Sequence, residues 1–265
     1  MAPTLRPLSV GELLDRTFTF YRRRFVLFVG IAAIPSAVAL AFQVGRLYGA
    51  FSTSVATTVV LGLVSLIVSV VTGTFVHGAT VVAVSQLQLE QDTNIAEAFA
   101  AIRPLVGELF IIGLNVGVRV MLGLLLLIVP GIILALSYSV AVPVAILEGT
   151  TVSESLTRSS DLTRGGRGRI FVIYCLFFVL TMVGGAFWPV ITGAIAAARS
   201  VPLNYAHLPM WAQLVSQFGA FVTQSLIGPI TTIALTLVYY DQRVRKEAFD
   251  LQHMMDELDA SPQST

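Results

Sequence analysis

Charge is what this chain has least of. Asp, Glu, Lys and Arg together make up 12% of its 265 residues, against roughly 25% in soluble domains. Cysteine is nearly absent too: Cys175 stands alone inside IFVIYCLFFVL, so no intrachain disulfide and no thiolate metal site can form. The three histidines are scattered, with His77 in an apolar run, His207 in a polar loop and His253 near the C-terminus. No set of His, Cys, Asp and Glu has metal-ligand spacing, and no nucleophile and base can be paired. The reading is a protein without cofactor or metal, and not an enzyme. No nucleic-acid partner is expected, and the formal net charge of +1 hides a strong asymmetry in where the charges lie.

What fills the chain instead is apolar. Hydrophobic residues reach 55% and the mean hydropathy is +0.83. Uncharged runs cover 25–45, 47–89, 120–147, 170–198 and 200–240, each at least as long as the ~20 residues that cross a bilayer. The pattern predicts an all-α integral membrane fold with six transmembrane helices, at about 25–44, 55–82, 107–129, 131–147, 170–197 and 214–240. An even number of spans puts both termini on one side. Arg6, Arg16, Arg22, Arg23, Arg24, Arg103, Arg158, Arg164, Arg167, Arg169, Arg243, Arg245 and Lys246 share that side. Only Arg46 and Arg199 lie opposite, and Arg119 falls within a span, so the termini are expected in the cytoplasm. The expected location is the plasma (inner) membrane of a bacterium, as a multi-pass protein. YRRRF followed by an apolar run has the look of a twin-arginine export signal, but the run is long enough to stay as an anchor, and no cleaved signal is expected.

Gly184-Gly185 with Pro189, and Gly228-Pro229, are expected to break or bend the fifth and sixth spans. Pro130-Gly131 is expected to form the outward turn between spans three and four. Thr58, Gly62, Ser65, Ser69 and Thr72 on span two, Ser225, Thr232 and Thr236 on span six, and Gly113 with Gly117 on span three form stripes of small residues that favour close helix packing.

Three segments open alike: SVGELLDR at 9, NIAEAFAAIR at 94 and TVSESLTR at 151. Ser9 with Glu12, Asn94 with Glu97 and Thr151 with Glu154 have capping-box spacing. Each precedes an Arg and then a helical pair, which predicts three parallel repeats of a short amphipathic helix plus a two-span hairpin, at 9–88, 94–148 and 151–240. Residues 1–251 then form one six-span domain, and 252–265 a cytoplasmic tail, partly disordered. The first short helix either lies in the headgroup layer on Leu13, Leu14, Phe18 and Tyr21 or packs as an elbow. Arg22, Arg23 and Arg24, with Arg164, Arg167 and Arg169, are candidate inner-face contacts for anionic lipid, at ~1 kcal/mol per charge near the surface.

Arg119 is the one charge deep inside an apolar segment. At 100° per residue, Glu108, Asn115 and Arg119 fall within about 40° of one another, making a polar stripe and a candidate anion or lipid site. A lipid-facing arginine near the midplane costs at least ~2.5 kcal/mol. Arg119 is therefore expected to face inward, on Asn115, hydroxyls of spans two or six, or freed carbonyls.

RPLSVGELLDRTFTFYRRRF, VPGIILALSYSVAVPVAILEGTTVSESLTRSSDLTRGGRGRIF and YYDQRVRKEAFDL resemble the family described as the membrane domain of glycerophosphoryl diester phosphodiesterase, over nearly the whole chain. Ser160-Asp161 departs from the aromatic residue common in that family before the Leu of its SxxLTRG segment. The resemblance implies a multi-span membrane module. It does not imply the phosphodiesterase activity, since no His-Arg-Gly segment and no acid, base and metal cluster accompany it. Function is thus expected to be non-catalytic: organising membrane lipids, anionic ones among them, or a membrane-protein partner or second copy of the chain. The alternative is a small transporter or lipid translocator that binds an anionic headgroup near Arg119.

Overall fold

Helix accounts for nearly all of the regular structure in the computed structural model, which describes residues 8–49, 54–198 and 209–260. In chain order the helices are α1 (Val10–Arg23), α2 (Phe25–Gly49), α3 (Val55–Gln88), α4 (Ile95–Ile102), α5 (Val106–Leu126), α6 (Ile128–Ser137), α7 (Ala141–Glu148), α8 (Val152–Thr163), α9 (Arg167–Ala198) and α10 (Met210–Ala260). Six stretches are long and apolar enough to span a membrane: Phe25–Leu47, Ala56–Gln88, Ile95–Leu126, Ile128–Glu148, Arg167–Ala198 and Met210–Glu247. They coincide with the six expected from the uncharged runs, and the chain is a multi-pass membrane protein by this measure.

The three short helices begin as their spacing requires. Ser9 Oγ accepts the Glu12 N–H at 3.2 Å while Glu12 accepts the Ser9 N–H at 2.8 Å. Asn94 and Glu97 exchange the same pair at 2.9 and 3.3 Å. At the third start the Glu154 carboxylate accepts both the N–H (3.0 Å) and the hydroxyl (2.8 Å) of Thr151. Those bonds to Thr151, the backbone one foremost, hold the Glu154 carboxyl below its ordinary range. The segments opened by these caps differ. α4 runs through a single 3-10 turn, Arg103–Leu105, into α5, whereas α8 packs back on α5, α6, α7 and α10.

α1 is a packed elbow. Leu13, Thr17 and Tyr21 are buried, the helix lies against α10, and the Tyr21 hydroxyl donates to the Leu226 carbonyl at 2.8 Å. Burial pushes the Tyr21 hydroxyl pKa upward.

Three expectations need correcting. α9 and α10 run without interruption through Pro189 and Pro229, so of the two outcomes expected there, a break or a bend, the break does not occur. The reversal between spans three and four is at Leu127, whose extended backbone (φ −161°, ψ 144°) separates α5 from α6. Pro130 and Gly131 sit just beyond it, in the first turn of α6, where proline's missing N–H costs nothing. Gly131 is needed there for another reason: a Cβ on it would come within 2.6 Å of the Leu124 backbone nitrogen. The fourth span, read as one helix, is divided. α6 ends at Ser137 and α7 begins at Ala141. The Ser137 carbonyl released by this break accepts the Ser159 hydroxyl at 2.8 Å and the Thr163 hydroxyl at 3.3 Å, so α8 closes the gap.

The core gathers where Leu8 meets α10. Phe28, Ile31, Ile102, Val144, Leu162, Ile170, Ile173, Ile233 and Tyr239 are buried in one cluster. Asp241 accepts the Leu8 N–H at 2.7 Å, Arg169 Nη1 at 3.1 Å and Arg245 Nε at 2.9 Å, and both arginines return bonds to the Leu8 carbonyl. Beside it, Glu148 accepts the Tyr239 hydroxyl at 2.9 Å and Arg158 Nε at 3.2 Å, and Arg158 bridges to Glu247 at 3.1 Å. Asp241–Arg245 and Arg243–Glu247 are i,i+4 ion pairs on α10, and Asp241 is buried. Residues 261–265 of the expected tail lie outside the described residues.

Candidate lipid site

Arg119 lies on the side of α5 that meets the joint between α6 and α7. It is eight residues before the reversal at Leu127, about 12 Å along the axis, and the returning chain brings Tyr138 level with it. Arg119 Nη1 donates to the Tyr138 hydroxyl at 3.0 Å, and the guanidinium carbon stands 5.6 Å from the same ring's centre. Arg119 is exposed, not turned inward, which corrects the expectation of a buried guanidinium. The anticipated stripe does not act together: Asn115 Nδ2 donates to Ile111 O of its own helix at 3.0 Å, and Glu108 is exposed two turns further away. Hydroxyls of α3 and α10 are not its partners either.

What faces Arg119 is α8. Ser153, Thr157, Ser160, Asp161 and Arg164 line, with Arg119 and Tyr138, a recess of about 350 Å³. Spacing of three and four residues places this set on one flank of α8 with the buried Leu156 at its edge, while Ser159 and Thr163 on the other flank are buried. Asp161 and Arg164 are 3.6 Å apart. The Thr157 hydroxyl donates to the Ser153 carbonyl at 3.0 Å, but two guanidinium groups and the hydroxyls of Ser153 and Ser160 still offer more donors than the one carboxylate can take. That is a surface suited to phosphate oxygens, which arginine binds in forked geometry.

Behind Tyr138 the character changes. A second cavity of about 500 Å³ is lined by Val116, Gly117, Val120, Met121 and Leu124 of α5, Ala135, Tyr138 and Val142 beyond the reversal, and Tyr174, Leu235 and His77. Gly117 lines it, and a Cβ added to Gly113 or Gly117 would meet no described residue within 4 Å. The GxxxG is thus no packing seam here. Tyr138 forms the wall shared by the polar recess and the apolar cavity.

The basic candidates divide. Arg169 is committed to Asp241 and Leu8, so it is a structural tie and not a lipid contact. Arg24 is paired with Asp92. Arg22 and Arg23 are exposed beside it, Arg164 is exposed in the recess, and Arg167 is half-buried with its Nε unbonded. Residue reasoning missed Tyr138 and the α8 flank; the polar triplet Ser137-Tyr138-Ser139 inside an apolar run was the available signal. No group of three or more His, Cys, Asp and Glu able to hold a metal occurs among the described residues. Neither a family model, nor a curated protein, nor a solved structure matches the chain.

Proposed function

We propose that this chain is a non-catalytic membrane protein that holds an anionic lipid at one face of its bundle. The headgroup phosphate binds Arg119 and Arg164, with Ser160 and Thr157 beside them, and an acyl chain enters the apolar cavity behind Tyr138. The observation that carries this reading is the shared Tyr138 wall: a cationic, hydroxyl-rich recess of about 350 Å³ adjoins an apolar cavity of about 500 Å³. A phospholipid has that division of chemistry along its own length. The resemblance of three segments to the glycerophosphoryl diester phosphodiesterase membrane domain supports a membrane module with no hydrolase chemistry of its own. The three similar caps support a repeated architecture. The distribution of Arg and Lys supports cytoplasmic termini in a bacterial plasma membrane. Cysteine labelling in a Cys175-free background tests that: a probe at Ser200 reacts from outside the cell and one at Thr93 does not, and the opposite pattern reverses the topology.

The lipid reading is tested by native mass spectrometry of the purified chain. Wild type retains phosphatidylglycerol over phosphatidylethanolamine by about tenfold, equivalent to ~1.4 kcal/mol. Arg119→Gln and Arg164→Gln, each with unchanged thermal stability, lose that preference. Folded variants that keep it, or a wild type without it, contradict the proposal. Translocation is the second reading, favoured by one observation: His77 lines the apolar cavity on one side and a further, polar cavity on the other.

A further inference from the structure

That further cavity lies between α2, α3 and α10, toward the end of the bundle remote from Leu8 and Asp241. Its volume is about 320 Å³. Three carboxamides line it: Gln43 from α2 and Gln217 and Gln224 from α10. Each brings two N–H donors and a carbonyl acceptor, and none of the three side chains hydrogen-bonds to a described residue. They sit within stretches apolar enough to cross a membrane, where an unsatisfied amide is strongly disfavoured. The hydroxyls of Ser36, Ser69 and Thr72 and the ring of His77 share the same space.

The convergence is built into the helices. Gln217, Gln224 and Gly228 follow one another at seven and four residues on α10, Ser36 and Gln43 are seven apart on α2, and Ser69, Thr72, Gly73 and Val76 follow one flank of α3 with His77 at its edge. Those spacings return to one face of a helix, so three faces meet around one volume. Ser36 is over nine-tenths buried and has no hydrogen-bond partner among the described residues, although its side chain borders the cavity. His77 is held at the floor by Thr232, whose hydroxyl lies 2.7 Å from its Nδ1; its exposed surface is open to the cavities. No Asp, Glu, Lys or Arg is among the lining residues.

We infer that this cavity is a binding site for an uncharged, multiply hydroxylated group, a polyol or sugar. The carboxamides supply paired donors and acceptors, which match vicinal hydroxyls that both give and accept hydrogen bonds. An ion finds no counter-charge here. The space holds on the order of ten waters at about 30 Å³ each, which is room for a six-carbon polyol with its closest waters. This inference stands on α2, α3 and α10 and is independent of the Arg119 recess.

Saturation-transfer NMR on the chain in lipid nanodiscs tests it, with sorbitol and methyl β-glucoside as probes and inorganic phosphate and tetramethylammonium as charged comparators. Wild type transfers saturation to the two polyhydroxyl probes and not to the ions. Gln43→Leu/Gln224→Leu lowers the transfer at least fivefold, and Gln217→Leu, the milder change should the double variant not fold, lowers it at least twofold. Phosphatidylglycerol retention stays at the wild-type level in both. A wild type that transfers to neither polyol, one that transfers equally to the ions, or a folded variant that transfers undiminished overturns the site and means the cavity holds water only. Loss of phosphatidylglycerol preference on Arg119→Gln with polyol transfer unaffected separates this site from the lipid site.

Discussion

The two ends of the bundle are built to different rules. Around Leu8, Asp241, Glu148 and Arg158, polar groups are dense and nearly all paired, and the apolar residues between them are buried. At the other end the carboxamides of Gln43, Gln217 and Gln224 line open space without partners among the described residues, and the polar ties are confined to α9 and α10, where Trp188 Nε1 donates to the Thr223 hydroxyl at 3.0 Å and the Thr192 and Ser216 hydroxyls are 3.0 Å apart. Only 6% of the residues in the most apolar part of Ala56–Gln88 are buried, against 56% in that of Met210–Glu247. Lipid tails solvate leucine as well as another helix does, so apolar contact alone does not hold spans together. Hydrogen-bonded polar ties do. The paired end therefore fixes the arrangement of the helices, and the open end is free to bind.

That contrast can be broken by mutation. Asp241→Ala removes the one carboxylate shared by Arg169, Arg245 and the Leu8 N–H, leaving two guanidinium groups unopposed. Breaking such a pair costs about 3–5 kcal/mol, and the melting temperature falls by about 10 °C. Gln217→Leu at the open end changes it by no more than about 2 °C, in either direction. Equal losses from the two substitutions would show that the ends do not differ as argued.

A smaller effect sharpens the comparison within the paired end. The Glu154 carboxyl is held below its usual pKa of 4.5, chiefly by the Thr151 N–H. Because the folded value is the lower one, the stability it contributes is fully present above pH 4.5 and is lost as pH falls through the folded pKa. Hydrogen exchange in residues 152–163, corrected for intrinsic rates, loses protection over that acidic range in wild type. Glu154→Gln removes the step. Protection that is flat with pH in wild type would mean the cap bonds contribute nothing to α8.

How much of this was legible in the sequence follows from what each feature depends on. The six spans were, because long uncharged runs have no other stable use. So were the helix starts at Ser9, Asn94 and Thr151, which are local bonds between residues three apart. The break at Tyr138–Val140 was not, because averaging over a span hides a three-residue interruption, and the Ser137 carbonyl it releases is satisfied by Ser159 and Thr163, twenty or more residues later. Arg119 was noticed as a charge out of place. Its partner was missed because the register of α5 against α6 depends on where the chain reverses, and Leu127 carries no turn signal while Pro130-Gly131 does. The stripe Thr58, Gly62, Ser65, Ser69 and Thr72 was read as a packing seam; no contact meets Gly62, and Ser69 and Thr72 face the polar cavity. Small polar residues at helical spacing serve either purpose, and only the neighbouring helices decide. The three glutamines gave no sign, being neutral, isolated in their own runs and brought together by tertiary structure alone.

The proposal that an anionic lipid occupies the recess at Arg119 is tested most directly by an experimental structure of the chain in nanodiscs made from its native membrane. The account predicts phosphate density within hydrogen-bonding distance of the Arg119 and Arg164 guanidinium groups, and a continuous acyl chain passing Tyr138 between Val120, Leu124 and Tyr174. An ordered recess holding only water, or lipid bound elsewhere while Arg119 keeps Tyr138 as its sole partner, would contradict it.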